Sequence, residues 1–228
     1  EVYSPPRVAP VAQAAGMSKG WSLDLTTADD QGRAWDFDDP ECRMRAKELV
    51  RRTKPALLIG SPMCTWLSSL MNMNYPKMDP ELVDQNVRRA TDHLLFTLEL
   101  YQIQIDAGRY FLHEHPAGAS SWKLEEMIAF MAQKGVKSEI AHMCGFGMET
   151  TNAAKDDTLP VLKPTRFMTN APELLATLHQ RCQGGHEHGK LLGGRAKDAA
   201  VYPPALCKAV VYGTKLQIAK DNQQQSPS

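Results

Sequence analysis

Ala56-Leu57-Leu58-Ile59-Gly60-Ser61-Pro62-Met63-Cys64-Thr65-Trp66-Leu67-Ser68-Ser69 is the stretch on which the fold turns. Its apolar run has strand length, stops at a Gly-Ser-Pro turn and presents Cys64 just past the strand end, where the crevice of an open α/β sheet holds ligand. The cysteine reads as a nucleophile or as a small side chain that packs behind a buried strand. The rest of the chain has to separate the two.

Upstream, Val2-Tyr3-Ser4 is β-prone, Pro5-Pro6 ends it, and Val8 to Ala15 has helical character with Gly16 beyond it. Trp21 to Leu25 and Ala34 to Phe37 read as short strands carrying Asp24 and Asp36. An acid there accepts from ribose hydroxyls or caps a turn. Pro40 to Thr53 has helical spacing and leads into the Leu57 strand. Met71 to Pro76 reads as a loop, either core-filling or a lid. Pro80 to Ala107 is the longest helical pattern, ended by Gly108. Arg109 to Pro116 is the next strand, with His113 and His115 on one side and Glu114 on the other.

Further on, a helix from Lys123 to Gln133 precedes a strand at Val136 to Ala141, and Met148 to Leu159 reads as an exposed loop. Thr165 to Asn170 is strand-like, Pro172 to Thr177 helical, and Pro203 to Val211 a last helix. Strands alternating with helices predict an α/β fold with a mostly parallel sheet and helices on both faces. One domain over residues 1–215 is expected, with the polar residues 216–228 as a disordered tail or linker.

With 26 basic and 26 acidic residues, no global charge draws the chain to nucleic acid. Five scattered cysteines do not resemble a secreted disulfide framework. With no spanning apolar run and no signal peptide at the start, the expectation is an intracellular protein, cytoplasmic or nuclear, without membrane contact. A chain that begins without Met also suggests a domain of a larger polyprotein.

Taken together, the segments from Tyr3 to about Val211 resemble the cytosine-C5 DNA methyltransferases, particularly small Dcm-like forms. Ser61-Pro62-Met63-Cys64 stands where that family carries Pro-Pro-Cys, and Ser68 or Ser69 is similar to its Phe-Ser. His113-Glu114-His115-Pro116 stands at its Glu-Asn-Val. Tyr3-Ser4 through Gly16 is similar to its first motif, with Pro5 and Arg7 in place of glycines. Cys144-Gly145-Phe146-Gly147 is similar to Gln-x-Tyr-Gly, Lys163 to Phe167 to Gln-x-Arg-x-Arg with Arg166 kept, and Val201 to Leu206 to the last motif.

The resemblance implies a Rossmann-like class I methyltransferase that uses S-adenosylmethionine on nucleic acid, DNA rather than RNA. It implies Cys64, Glu114 and Arg166 as catalytic residues. Tyr3, Ser4, Pro5, Arg7, Asp24, Asp36, Ser61 and Pro62 would bind the cofactor. Residues 167–200 would be a reduced target-recognition region. The chemistry is consistent with these residue types: a thiolate adding to carbon 6 of cytosine makes carbon 5 nucleophilic, and a carboxyl group stabilises charge at N3. Arg166 or local dipoles would hold the thiol deprotonated.

Two alternatives stay open: a degenerate binding module that keeps the fold, and a metal-dependent hydrolase using His113, His115, His186 and His188. Cys182-x3-His186-x-His188 is either a polar loop or part of a zinc site. Spacing does not choose a fourth ligand among His142, Cys144 and His179.

Overall fold

The computed structural model describes residues 1–152, 157–191 and 198–225. Its order is α1 (Val8–Ala14), α2 (Pro40–Thr53), β1 (Leu57–Gly60), α3 (Ser69–Asn72), α4 (Pro80–Asp106), β2 (Tyr110–Pro116), α5 (Glu125–Met131), β3 (Lys137–His142), β4 (Glu149–Asn152), β5 (Asp157–Pro160), β6 (Pro164–Thr169), α6 (Pro172–Thr177) and α7 (Pro204–Gln225). The two long helices before β2 start alike. Asp39 and Asp79 accept from the backbone N–H of Glu41 and Glu81, and each is followed by proline at the first helical position.

The central sheet has the order β1-β2-β6-β3. Beyond β1, Val2 makes parallel bridges to both Gly60 and Leu23. The expectation of a mostly parallel sheet is corrected here: β1 pairs with β2 in parallel, but β6 is antiparallel to both β2 and β3. The reason is connectivity. A parallel return needs a crossover, usually a helix, and between β3 and β6 the described residues form a short turn and the paired strands β4 and β5, with no helical crossover among them. It therefore re-enters at the end where it left.

Alternation along the strands divides the core. Leu58, Phe111 and Met168 face α2, α4 and α5, through Val50, Leu94, Tyr101 and Phe130. Ile59, Leu112 and Phe167 face α1, α6 and α7, through Val8, Leu174, Leu206 and Val210. Helices thus cover both faces. Gly60 is needed where α4 crosses β1, because a β-carbon there would run into Tyr101 Oη and Thr97 Cγ2.

Other expectations change. Met148 to Leu159 holds the β4–β5 hairpin rather than a plain loop. The Met71 loop is largely helical, in α3 and in a 3-10 turn at Tyr75–Lys77. Ala34 joins only an isolated bridge to Ala28, while Trp35 and Phe37 are buried. Residues 216–225 of the expected tail are the end of α7, and residues 226–228 lie outside the described residues. Gln217 is buried and accepts from Glu173 N at 3.0 Å, and Tyr110 Oη donates to Asp221. Glutamine and lysine are good helix formers, so polarity there marks a helix docked along one stripe.

Candidate active site

A crevice opens beside the end of β1. Val2 bridges Gly60 on one side and Leu23 on the other, each as an isolated bridge, so the expected strand at Trp21 to Leu25 is reduced to Leu23 alone and the order of connection reverses at Val2. Tyr3, Asp24 and Ser61 follow the three bridged residues, and all three line one cleft of about 190 Å3. Leu25, Trp35, Asp36, Phe37, Asp38, Met63, Arg89 and His93 complete its wall. Four of the eight residues expected to bind cofactor (Tyr3, Asp24, Asp36 and Ser61) therefore meet there.

Tyr3 holds a left-handed φ of 62°, a conformation costly for an aromatic residue. Its ring packs on Phe37 with centroids 4.9 Å apart, and its hydroxyl lies 2.8 Å from His93 Nδ1. His93 Nε2 in turn lies 3.0 Å from Asp38 Oδ1, and Arg89 pairs with the same carboxylate. The Arg89 hydrogen bonds, with His93, hold Asp38 at about 2, whereas burial lowers His93. Asp24 Oδ1 accepts from Thr26 N and Oγ1, and Asp36 Oδ1 from Asp38 N.

The other expected cofactor residues lie elsewhere. Ser4 is buried and donates to Pro5 O at 2.9 Å, Arg7 Nη1 donates to Ala200 O at 2.9 Å, and Pro5 and Pro62 are not among the residues lining the cleft. The start of α1 is occupied by the chain's own anion: Glu1 Oε2 accepts from the N–H groups of Arg7, Val8 and Ala9 at 3.0, 3.0 and 2.9 Å. A phosphate-bearing cofactor would need that place.

Cys64 follows β1 at the start of a 3-10 turn, and Glu114 lies near the end of the neighbouring strand β2. Tyr202 joins Glu114 to the cleft: its hydroxyl donates to Glu114 Oε2 at 3.3 Å and contacts Ser61 Oγ. Burial pushes the Cys64 thiol up, and the Glu114 charge adds to this, while Lys163 is the cation that opposes it. The expected role of Arg166 in lowering the thiol is not what the geometry provides. Arg166 lies opposite His115 in the register, and its guanidinium is 4.9 Å from the Trp122 ring centre. Glu114 pairs with Phe167 and so faces the other way.

No family model, curated protein or solved structure matches this chain. The reading therefore rests on its own residues.

His115 is a positioning residue that spacing does not reveal. Its Nε2–H donates to Pro62 O at 3.2 Å and its Nδ1 accepts from Ser121 Oγ at 2.7 Å, so it holds the turn carrying Cys64. Burial pushes it down to about 4 and keeps it neutral. His113 is fully buried, bonds Tyr101 Oη through Nδ1 at 3.0 Å, and leaves Nε2 without a partner. Tyr202 and Lys163 stand inside segments that resemble family motifs, so the sequence marked their neighbourhood but not their roles. Glu1 carries no such signal.

The four histidines of the hydrolase alternative do not converge. His186 and His188 lie with Cys182 and Cys144 in the loops beyond β3, and neither His113 nor His115 is in that group. Among the described residues no helix is long and apolar enough to cross a membrane.

Proposed function

We propose that this chain transfers a methyl group from S-adenosylmethionine to carbon 5 of cytosine in nucleic acid, DNA by preference, through a Cys64 adduct, on a Rossmann-like sheet. One observation carries the reading. Cys64 and Glu114 stand at the same end of the adjacent parallel strands β1 and β2, and Glu114 is joined through Tyr202 to Ser61, which lines the cleft beside that end. Tyr3, Trp35 and Phe37 offer aromatic surface for an adenine, and Asp24 and Asp36 offer carboxylates to hydroxyl groups. The Glu1 carboxylate on α1 favours a cofactor without phosphate.

The Glu114 carboxylate takes up the proton that the Cys64 thiol loses as Sγ bonds to carbon 6, and passes it to N3, where the displaced ring electrons collect. When bound beside Tyr3 and Asp24, S-adenosylmethionine would supply an electrophilic methyl group for carbon 5. Loss of the carbon 5 proton restores the double bond and expels Cys64 as thiolate. Because burial and Glu114 raise the thiol, Lys163 and any cation bound in the cleft promote attack. The base must leave its stack to reach Cys64.

The test is trapping on a 5-fluorocytosine oligonucleotide, in which the missing proton stalls the adduct. A denaturant-resistant complex that requires S-adenosylmethionine and is lost, by about 10^4-fold or more in rate, in Cys64→Ala is expected. Methyl transfer that survives Cys64→Ala overturns the mechanism. Nucleic-acid binding without cofactor binding or methyl transfer overturns the activity.

A further inference from the structure

Beyond the crevice, the two loops that follow β3 and α6 bring four soft ligand atoms to one point. The donor atoms of Cys144, Cys182, His186 and His188 all lie within 4.8 Å of one another. Cys182 Sγ is 3.5 Å from His186 Nε2 and 3.4 Å from His188 Nε2, and the two Nε2 atoms are 3.0 Å apart. Zn–S and Zn–N bonds arranged tetrahedrally give edges of about 3.3–3.8 Å between ligand atoms. The observed triangle is close to one face of that tetrahedron.

Hydrogen bonding among the side chains does not account for this arrangement. An imidazole Nε2–H points along one direction and serves one acceptor, yet each Nε2 here is near both the other ring nitrogen and the same sulfur. Atoms that converge on a common centre are what a cation organises. We propose that Cys144, Cys182, His186 and His188 hold one structural zinc ion, which staples the two loops together at the β3 edge of the sheet. An S2N2 set with no open position suits Zn2+ in a structural role rather than a catalytic one.

The scaffold is built for it from both sides. Cys144 lies in the 3-10 turn that continues β3, fixed by Met143 N to Leu162 O and Met148 N to Met143 O at 2.8 and 3.1 Å. The Cys182 backbone N–H donates to His142 Nδ1 at 3.0 Å, which ties the second cysteine to the end of the same strand. Gly184 and Gly185 take φ of +76° and +79° and curl the loop so that His186 and His188 return to Cys182. Gly184 N–H donates to Cys182 Sγ at 3.3 Å, a bond that suits a thiolate ligand. Past the histidines, Gly189 N–H donates to Pro160 O at 2.9 Å, so the loop is clamped to β5.

The site lies on the rim of the sheet at the end that carries Cys64. β3 ends at His142 next to Pro164, where β6 begins, and Lys163 precedes it. The ion would therefore fix the wall from which Lys163 and Arg166 enter the sheet, without taking part in the reaction.

The full chain, expressed with zinc and purified without chelator, is analysed by elemental mass spectrometry and zinc-edge X-ray absorption. One zinc per chain with a first shell of two sulfurs and two nitrogens is expected. Cys182→Ser or Cys144→Ser lowers zinc affinity by at least about 100-fold, whereas His179→Ala, outside the group, leaves it unchanged. Absorption on the unmutated chain keeps the test valid if the cysteine variants do not fold. No zinc in a folded chain, an oxygen-dominated shell, or iron in its place overturns the proposal.

Discussion

The chain carries two His-x-His pairs, and they do opposite things. His113 and His115 sit on β2 in the middle of the sheet, sealed from water, with each ring tied to the framework through Tyr101, Ser121 or Pro62. His186 and His188 sit in a loop with their Nε2 atoms turned toward each other and toward Cys182. Both patterns place two rings on one side of the backbone. The surroundings decide whether the ring nitrogens are consumed in holding the fold or offered to a ligand.

The largest effect that can break this contrast comes from stripping metal from the loop pair. With zinc removed by a chelator, amides near His142 to Met148 and Cys182 to Gly189 are expected to lose hydrogen-exchange protection by a factor on the order of 100. Amides of β2 keep theirs. Equal loss in β2 would show that the two regions are one cooperative unit.

The next effect is on the strand pair. His115→Ala removes two buried hydrogen bonds and leaves a void, at a cost of about 3 kcal/mol in denaturant unfolding. It also slows Cys64 adduct formation, since the Pro62 turn is freed. His188→Ala in zinc-free protein should leave global stability within about 0.5 kcal/mol. A His115 variant of full stability would remove its role as a strut.

Acid provides a third test. The folded value of His115, about 4, lies below the ordinary 6.5, so between these values the unfolded chain binds the extra proton. Stability is therefore complete above about pH 6.5 and falls as pH drops toward 4, by about 3 kcal/mol for this ring at about 1.4 kcal/mol per unit. His113 is displaced in the same direction by burial. Urea midpoints of zinc-free protein at pH 7 and pH 5 check the slope, which His115→Gln should flatten. A midpoint independent of pH would contradict the buried neutral pair.

The smallest effect separates the two strand histidines from each other. His113→Phe keeps an aromatic ring, somewhat larger than the imidazole, removes the unpartnered Nε2 and leaves Tyr101 Oη its 3.1 Å bond to Gly60 O. Stability should stay within about 1 kcal/mol of the parent in urea unfolding. A loss as large as that of His115→Ala would mean that the Tyr101 contact matters more than the orphaned nitrogen.

Much of the framework was legible in the chain. The apolar run before Gly60 and the helical spacing of Pro40 to Thr53 and Pro80 to Ala107 locate β1, α2 and α4 because local periodicity dominates there. The Cys64 and Glu114 strand ends were readable for the same reason. The direction of β6 was not, since it depends on the absence of a crossover rather than on its own residues. Nor was the end of α7, whose polar composition hides a docked stripe at Gln217 and Asp221.

By itself, then, the sequence determined the alternation of strands and helices, the elements that bear Cys64 and Glu114, and the residue types from which a covalent cytosine chemistry can be argued. Only the tertiary structure decided that Arg166 packs its guanidinium on the Trp122 ring and lies on the side of β6 away from the Glu114 partner Phe167. It also decided that Tyr202 bridges Ser61 and Glu114, and that Cys144 is the fourth member of the Cys182 group. The physical reason is common to all three. Charge and ligation act through space over a few ångströms, between segments tens of residues apart, and only β3, β6 and α7 meeting at one end of the sheet set those distances.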